Sequence, residues 1–464
     1  MSSGPGRVAL VLHTHMPYVE GYGTWPFGEE WLWEAVATSY LPLLDLFDAG
    51  APLTLSLTPV VCDQLEAPDA MERCAAFLRE VRSASHALDV EDARASGRAD
   101  LADELERAAA EYAAALARLE AIGPDLLGRL RPHAAWTSSA THAILPLIAT
   151  DAGIRLQLQT GIAGHRARFG EDWAGGFWLP ECAHAAWLDP LLEEAGVHAA
   201  CVELTDVLGF GDRRNLTPLR SPAGPMLVPL DRATVDLVWG PAGYPGGGAY
   251  RDYHHRTTRD HHPWANDGAV YDDQRASAQA QADAADFAAR CAERVREGGL
   301  CVLAFDTELF GHWWHEGPRF LAAFVAEAER IGLDLVHLDE ALADADSAPL
   351  PHHWPHITTW GEPHTLRTWS NPAVAEIAAG QRAMELQVLG AGPAAGERAV
   401  RELLAVQASD WAFMVTRDLA GDYPLERFRA HRAALEDALA AGPSADPRVR
   451  HLAPYMRIAP LLEP

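Results

Sequence analysis

Residues 298–314 read GGLCVLAFDTELFGHWW. The run Leu300–Phe305 is apolar, short and preceded by two glycines, so it predicts a buried strand of the kind found in parallel sheets. That strand ends on an acid, Asp306. A carboxylate set directly after a buried strand is costly unless it is paired, solvated or employed. The stretch GFWLPECAH at 176–184 repeats the pattern, with an apolar run from Gly176 to Leu179, a proline, and then Glu181. RVALVLHTHMP at 7–17 adds a strand, Val8 to Leu12, that delivers His13 and His15 at its C-terminal end.

Working outward, APLTLSLTPVV (51–61), VHAACVE (197–203) and DLVHL (334–338) read as further strands. DPLLEEAG (189–196) and ARCAERVREG (289–298) read as helices between them. Strands alternating with helices predict an α/β fold with a parallel sheet. In such folds active residues gather at the C-terminal ends of the strands, where His13, Glu181, Glu203 and Asp306 all fall. A barrel-like arrangement is therefore the expected architecture. From about Pro68 to Leu130 the composition shifts to Ala, Glu, Arg and Leu at helical spacing, as in DELERAAAEYAAALARLEAI, which predicts a helical hairpin inserted at 68–130. HAAWTSSATHAILPLI (133–148) reads as strand, loop and helix, with Thr137 or Ser138 capping the helix. WGPAGYPGGGAYRDYHH (239–255) has neither period, and a long loop of that kind in a compact enzyme is expected to be a lid or binding loop. After residue 345 the chain turns loop-rich and then helical, which divides it into a catalytic part, 1–345, and a C-terminal helical domain, 346–464, that contributes to the cleft.

Composition sets limits. The 464 residues are 48% hydrophobic and 22% charged, as in ordinary globular chains. No run of 18 apolar residues suggests a transmembrane helix, and the N-terminus lacks a signal-length apolar segment. The formal net charge is -28, from 65 acids and 37 basic residues, all of them arginine. Such a surface repels phosphate backbones and anionic membranes, so neither nucleic acid nor membrane is an expected partner, and a neutral substrate fits better. The six cysteines form no CxxC pair and read as thiols of a reducing, cytoplasmic compartment.

Glycoside cleavage needs two carboxylates across the scissile bond, one to protonate the leaving oxygen and one to attack the anomeric carbon or activate water. Glu181 and Asp306 are the natural pair. Aromatic residues surround both in sequence (Phe177, Trp178, Trp187, Phe310, Trp313, Trp314), and flat aromatic faces suit the apolar faces of sugar rings. His13, His15 and His142 admit two readings: sugar-hydroxyl ligands, or zinc ligands of a polysaccharide deacetylase-like hydrolase. Asp410 and Trp411, in QASDWAFMV (407–415), either line the cleft or serve local packing. Glu203, Asp206 and Glu308 read as local ion-pair partners.

Taken together these stretches resemble glycoside hydrolase family 57. Its five characteristic regions have counterparts here in order: HTHMPY (13–18), WTSSATHAILPLI (136–148), GFWLPECAH (176–184), AFDTELFGHWW (304–314) and TTWGEPHTLRTWSNP (358–372). Within the family, the opening segment and the SDW helix look most like the 1,4-α-glucan branching enzymes. The resemblance implies an incomplete (β/α)7 barrel followed by a helical domain, and a retaining mechanism on α-1,4-glucan with no metal or other cofactor. It implies Glu181 as nucleophile and Asp306 as general acid/base, with carboxyls about 5–5.5 Å apart. It further implies sugar contacts from His13, His15, His142, Trp178, Trp360, Asp410 and Trp411, and from Tyr244 as the lid residue of the loop. Two features depart from the branching pattern. Pro363-His364 stand where glycines usually follow Trp-Gly-Glu, and the span from Glu181 to Asp306 is short. Both fall where acceptor choice would be made, so an α-glucan hydrolase or a 4-α-glucanotransferase of the same family stays open.

Overall fold

In the computed structural model, which describes residues 6–351 and 357–462, nine strands form one curled sheet. They are β1 (Arg7–Thr14), β2 (Thr54–Leu57), β3 (Ala134–Ser138), β4 (Gly176–Trp178), β5 (Ala199–Val202), β6 (Leu219–Arg220), β7 (Met226–Pro229), β8 (Leu300–Asp306) and β9 (Ala348–Pro349). The spatial order is β8-β1-β2-β3-β4-β5-β7-β6-β9. Seven neighbours, β8 through β7, run parallel. Only β6 turns against β7, and β9 joins β6 as a side ribbon. Across the remaining gap the Asp231 N–H donates to the Val302 carbonyl at 2.9 Å. One hydrogen bond there, in place of a ladder, leaves the barrel incomplete.

Alternation along each strand decides which side chains enter the barrel. On β1, Val8, Leu10 and Leu12 pack outward under the helices, whereas Ala9 and Val11 face the interior. His13 continues the inner series. On β8, Cys301, Leu303 and Phe305 face out, and Leu300, Val302 and Ala304 face in, so Asp306 follows them to the barrel mouth. Ala199 and Cys201 on β5 place Glu203 the same way. The inner set mixes small residues (Ala9, Ala199, Ala304) with large ones, and Trp136 fills the floor with its indole N–H on Asp339 at 2.8 Å. Gly176 begins β4 because a Cβ there would stand 2.2 Å from the Trp136 indole nitrogen.

The inserted hairpin is present between β2 and β3. Ala70–Ala95 runs as one helical rod, and Ala99–Ile122 returns along it. Helix Asp273–Val295 is capped by the Asp272 carboxylate and lays an alanine-rich stripe, Ala276, Ala280, Ala284 and Ala288, towards helix Gly317–Ile331. Alanines at that spacing let the two helices approach closely, with Phe320 and Phe324 filling the seam.

Several expectations need correction. Thr137 and Ser138 lie in β3, and the helix that follows starts at Asp151, capped by Thr150. DLVHL forms no strand; Val8 alone exchanges backbone bonds with Asp334 and Val336. The sheet continues past residue 345 to Pro349. The segment ERAVRELLAVQASDWAFMV is two helices, Gly396–Val406 and Asp410–Thr416, broken at Gln407–Ser409. With Ala375–Ala391 and Tyr423–Ala441 they make the C-terminal helical region, whose core includes Tyr18, Val60, Ala140, Ile144 and Leu156 of the barrel side. Residues 352–356, within the stretch read as loop-rich, and the first five residues of the N-terminus lie outside the described residues.

Candidate active site

Glu181 stands where β4 ends. Its backbone is left-handed (φ 58°, ψ 25°), as are those of Cys182 (φ 49°) and His142 (φ 54°). Non-glycine residues hold such angles only where the surroundings over-determine them. Here the Glu181 carbonyl accepts from the Thr359 hydroxyl at 2.7 Å and the Trp360 N–H at 3.1 Å. The Trp360 indole N–H donates to Glu181 Oε2 at 2.8 Å. One carboxyl oxygen is thereby anchored, and the other is free of that bond. Burial pushes the Glu181 carboxyl up to about 7; the Trp360 donor opposes the rise and the nearby Asp410 charge adds to it.

Asp306, at the end of β8, is also lifted to about 7, first by burial and then by the Glu181 charge, with His15 opposing. The two carboxyls sense each other, and both residues are half-buried.

The histidines stack above the barrel interior. His13 lies against Trp178 (centroids 4.5 Å apart), and His15 against His142 (3.9 Å). His13 Nε2 meets His142 Nε2 at 3.2 Å, so one of the two donates. Their other nitrogens reach Ser56 (3.2 Å) and Ser409 (2.9 Å). Burial holds both rings well below the usual histidine range, hence neutral at pH 7. His15 binds Asp410 at 2.8 Å and Thr58 at 3.3 Å. This face-to-face packing differs from a zinc site, which needs ring nitrogens converging on one point. Among the described residues no three His, Cys, Asp or Glu side chains converge in that way.

Two candidates lie elsewhere. Trp411 is fully buried, with its indole N–H on the Ala405 carbonyl and Arg427 over its ring. It packs the C-terminal core and has no face for a sugar. Tyr244 donates to Asp286 at 2.7 Å and packs on Phe287 and Phe320, outside the barrel wall. The apolar seam and the carboxylate hold it there, away from the carboxylate pair. Trp178 is buried too, and supports His13 and Trp360 from beneath. The acids read as ion-pair partners divide: Asp206 meets His364 at 3.2 Å, Glu203 caps the Thr205 N–H, and Glu308 accepts the Tyr40 hydroxyl at 2.5 Å. Burial lifts Glu308 to about 8, so it adds a neutral third carboxyl two residues from Asp306. Ser56, Thr58, Ser409 and Thr359 were not singled out from sequence. The alternation of TLSLT, which sends Thr54, Ser56 and Thr58 inward opposite Leu53, Leu55 and Leu57, is the signal that would have found two of them.

The glycosyl hydrolase family 57 profile matches residues 135–349, and that of the 1,4-alpha-glucan branching enzyme C-terminal region matches 382–458. The chain is 32% identical, over 94% of its own length and 93% of the relative's, to a probable 1,4-alpha-glucan branching enzyme of Mycobacterium tuberculosis. Its fold is similar to the crystal structure of a GH57-type branching enzyme from Pyrococcus horikoshii, with 28% identity, a TM-score of 0.88, and coverage of 98% and 96% of the two chains. An α-amylase of Thermotoga maritima has a similar fold at 22% identity, with a TM-score of 0.80 and coverage of 97% and 96%.

Proposed function

We propose that this chain, which belongs to glycosyl hydrolase family 57, is a 1,4-α-glucan branching enzyme working through Glu181 and Asp306. The observation that carries the reading is the half-buried carboxyl pair at the barrel mouth, one member of which is held by the Trp360 indole. The branching-type C-terminal region and the length of the similarity to branching enzymes support the transfer side of it.

The reaction follows from the two environments. In the first step Asp306 carries the shared proton and gives it to the glycosidic oxygen of an α-1,4-glucan. The unanchored oxygen of Glu181 attacks C1, so that the C1–O4 bond breaks and a glycosyl ester forms. In the second step a C6 hydroxyl of another chain gives its proton to Asp306, O6 bonds to C1, and the ester to Glu181 breaks. Retention follows from two inversions. Neutral His13 and His142, bonded to each other and to Ser56 and Ser409, add no charge beside an oxocarbenium-like transition state. Asp410 orients His15. The six thiols are free and buried, which agrees with a cytoplasmic enzyme.

The test is to incubate the protein with amylose and count α-1,6 linkages and new reducing ends together, with Glu181→Gln as control. Many linkages with few reducing ends are expected. Reducing ends without linkages would make it a hydrolase, and undiminished activity in Glu181→Gln would overturn the assignment of the nucleophile.

A further inference from the structure

A cavity of about 540 Å³ opens between helix Ala99–Ile122 of the insertion, the segment 25–45, the loop 251–262 and the stretch 311–319. Its size suits a small ligand, in the range of roughly 300–1,000 Å³. Neither Glu181 nor Asp306 lines it. The residues that surround it are unusual for a surface. Eight aromatic side chains are exposed among the described residues, and four of them, Trp25, Phe27, Tyr253 and Trp313, line this cavity. A fifth, Trp239, stands 6.2 Å from Trp313. Exposed aromatics gathered in one place mark a binding surface.

The charges around it balance. Glu34 is matched by Arg82, Asp45 by Arg118, Asp260 by Arg256, and Glu111 by Arg319. Glu30, with neither carboxyl oxygen on a partner from another residue, is lifted by burial to about 8 and is neutral at pH 7. In a chain of net charge -28, a charge-balanced wall with aromatic faces suits a neutral chain of sugar rings: apolar ring faces for the aromatics, and hydroxyls for the rim.

Its position chooses between the two glucan chains that a transfer reaction brings together. Gly311–Trp313 continues directly from Asp306, five residues on, a reach of at most about 18 Å. The leaving chain departs, and the new acceptor arrives, on the side where Asp306 gives and takes the proton. From this placement we infer that the cavity binds the acceptor glucan, the chain whose C6 hydroxyl receives the glycosyl group, with Tyr253, Trp313 and Phe27 as its ring platforms. The acceptor role rests on the transfer reaction proposed above; the glucan site does not.

Two measurements separate them. In a Glu181→Gln background, where turnover is blocked, maltohexaose is titrated by calorimetry into the protein with and without Tyr253→Ala/Trp313→Ala. Both side chains are more than one-third exposed, so truncation leaves the core intact. Two binding sites falling to one is the expected result. An unchanged stoichiometry and affinity would overturn the glucan site. With amylose and an intact Glu181, the same double substitution is expected to lower the ratio of α-1,6 linkages to new reducing ends about tenfold, with total cleavage within about threefold. Equal loss of both products would overturn the acceptor role. If the parent protein itself makes no α-1,6 linkages, the branching reading and the acceptor role fail together, while the titration still decides whether the cavity takes glucan. Ala114→Trp, which fills the cavity from the insertion helix, should reproduce both effects, and its failure to do so would count against the site.

Discussion

Burial governs the chemistry of single residues here. Glu181 and Asp306, both lifted to about 7, release their protons as a pair, and the first step proposed above needs the pair to hold one. Cleavage should therefore follow a bell centred near pH 7, falling on the acid side as Glu181 gains a proton and on the alkaline side as Asp306 loses its own. Initial rates against pH on amylose will show it. Asp306→Asn should lower cleavage by about 10²–10⁴-fold and erase the alkaline limb. Trp360→Phe deletes the donor to Glu181 Oε2, a bond to a charged group worth roughly 1.5–3 kcal/mol, so a loss of about 10–100-fold in kcat is expected. Its acid limb should move to higher pH, because the ionised form loses a stabilising partner. The same burial has a cost in stability. A carboxyl whose folded pKa lies above its unfolded value favours folding below about pH 4 and loses that contribution as pH rises through 7. Asp306→Asn should thus melt a few °C above the parent at pH 8 and level with it at pH 4, which calorimetry at the two pH values will test.

At the scale of elements, the segment that directly follows the loop read from sequence as a lid (239–255) is tied down. Asp89, on helix Ser83–Ala95 of the insertion, accepts from the Thr257 hydroxyl, Arg259 and His261. One buried carboxylate thereby anchors the chain just beyond Tyr253, which stands over His312. Removing it leaves the Thr257 hydroxyl and His261 without that acceptor, at about 1–3 kcal/mol for an unsatisfied buried group, whereas Arg259 keeps Asp92. Asp89→Ala should lower amide protection across 251–262 by hydrogen exchange and leave the β1 and β8 amides unchanged. Loss of protection throughout would mean that the loop is part of the global unit. The Gly-Tyr-Pro-Gly end of the loop behaves differently, because Tyr244 is anchored on Asp286 and two phenylalanines.

For the whole molecule, the barrel and the C-terminal helices act as one unit. Trp360 comes from beyond the sheet and holds Glu181; Ser409 and Asp410, at the start of another helix, hold His142 and His15. A fragment of residues 1–345 would expose Tyr18, Val60, Ala140, Ile144 and Leu156, all now buried. It is expected to aggregate and to be inactive, with light scattering and amylose cleavage as the measurements; a soluble, active fragment would refute the coupling. Sequence by itself determined the strand ends. Apolar runs stop at His13 and Asp306, and a side-chain period of two puts both with the inward residues; Glu181 has the parity of the outward Phe177 and Leu179, and its left-handed backbone, not the period, sets its direction. It also determined the inserted hairpin and the family, because helical spacing and ordered motifs are local properties. It missed β6, β7 and β9, which are two to four residues long and beside prolines and glycines, too short for a period to register. Only the tertiary structure decided what surrounds each group. Trp411 and Asp410 are neighbours in sequence, yet one faces a closed core and the other His15. Tyr244 was drawn to a seam that no local pattern announces, and exposed aromatics distant in sequence gathered around one cavity. Parity and propensity are written along the chain, whereas burial and partnership depend on segments hundreds of residues apart.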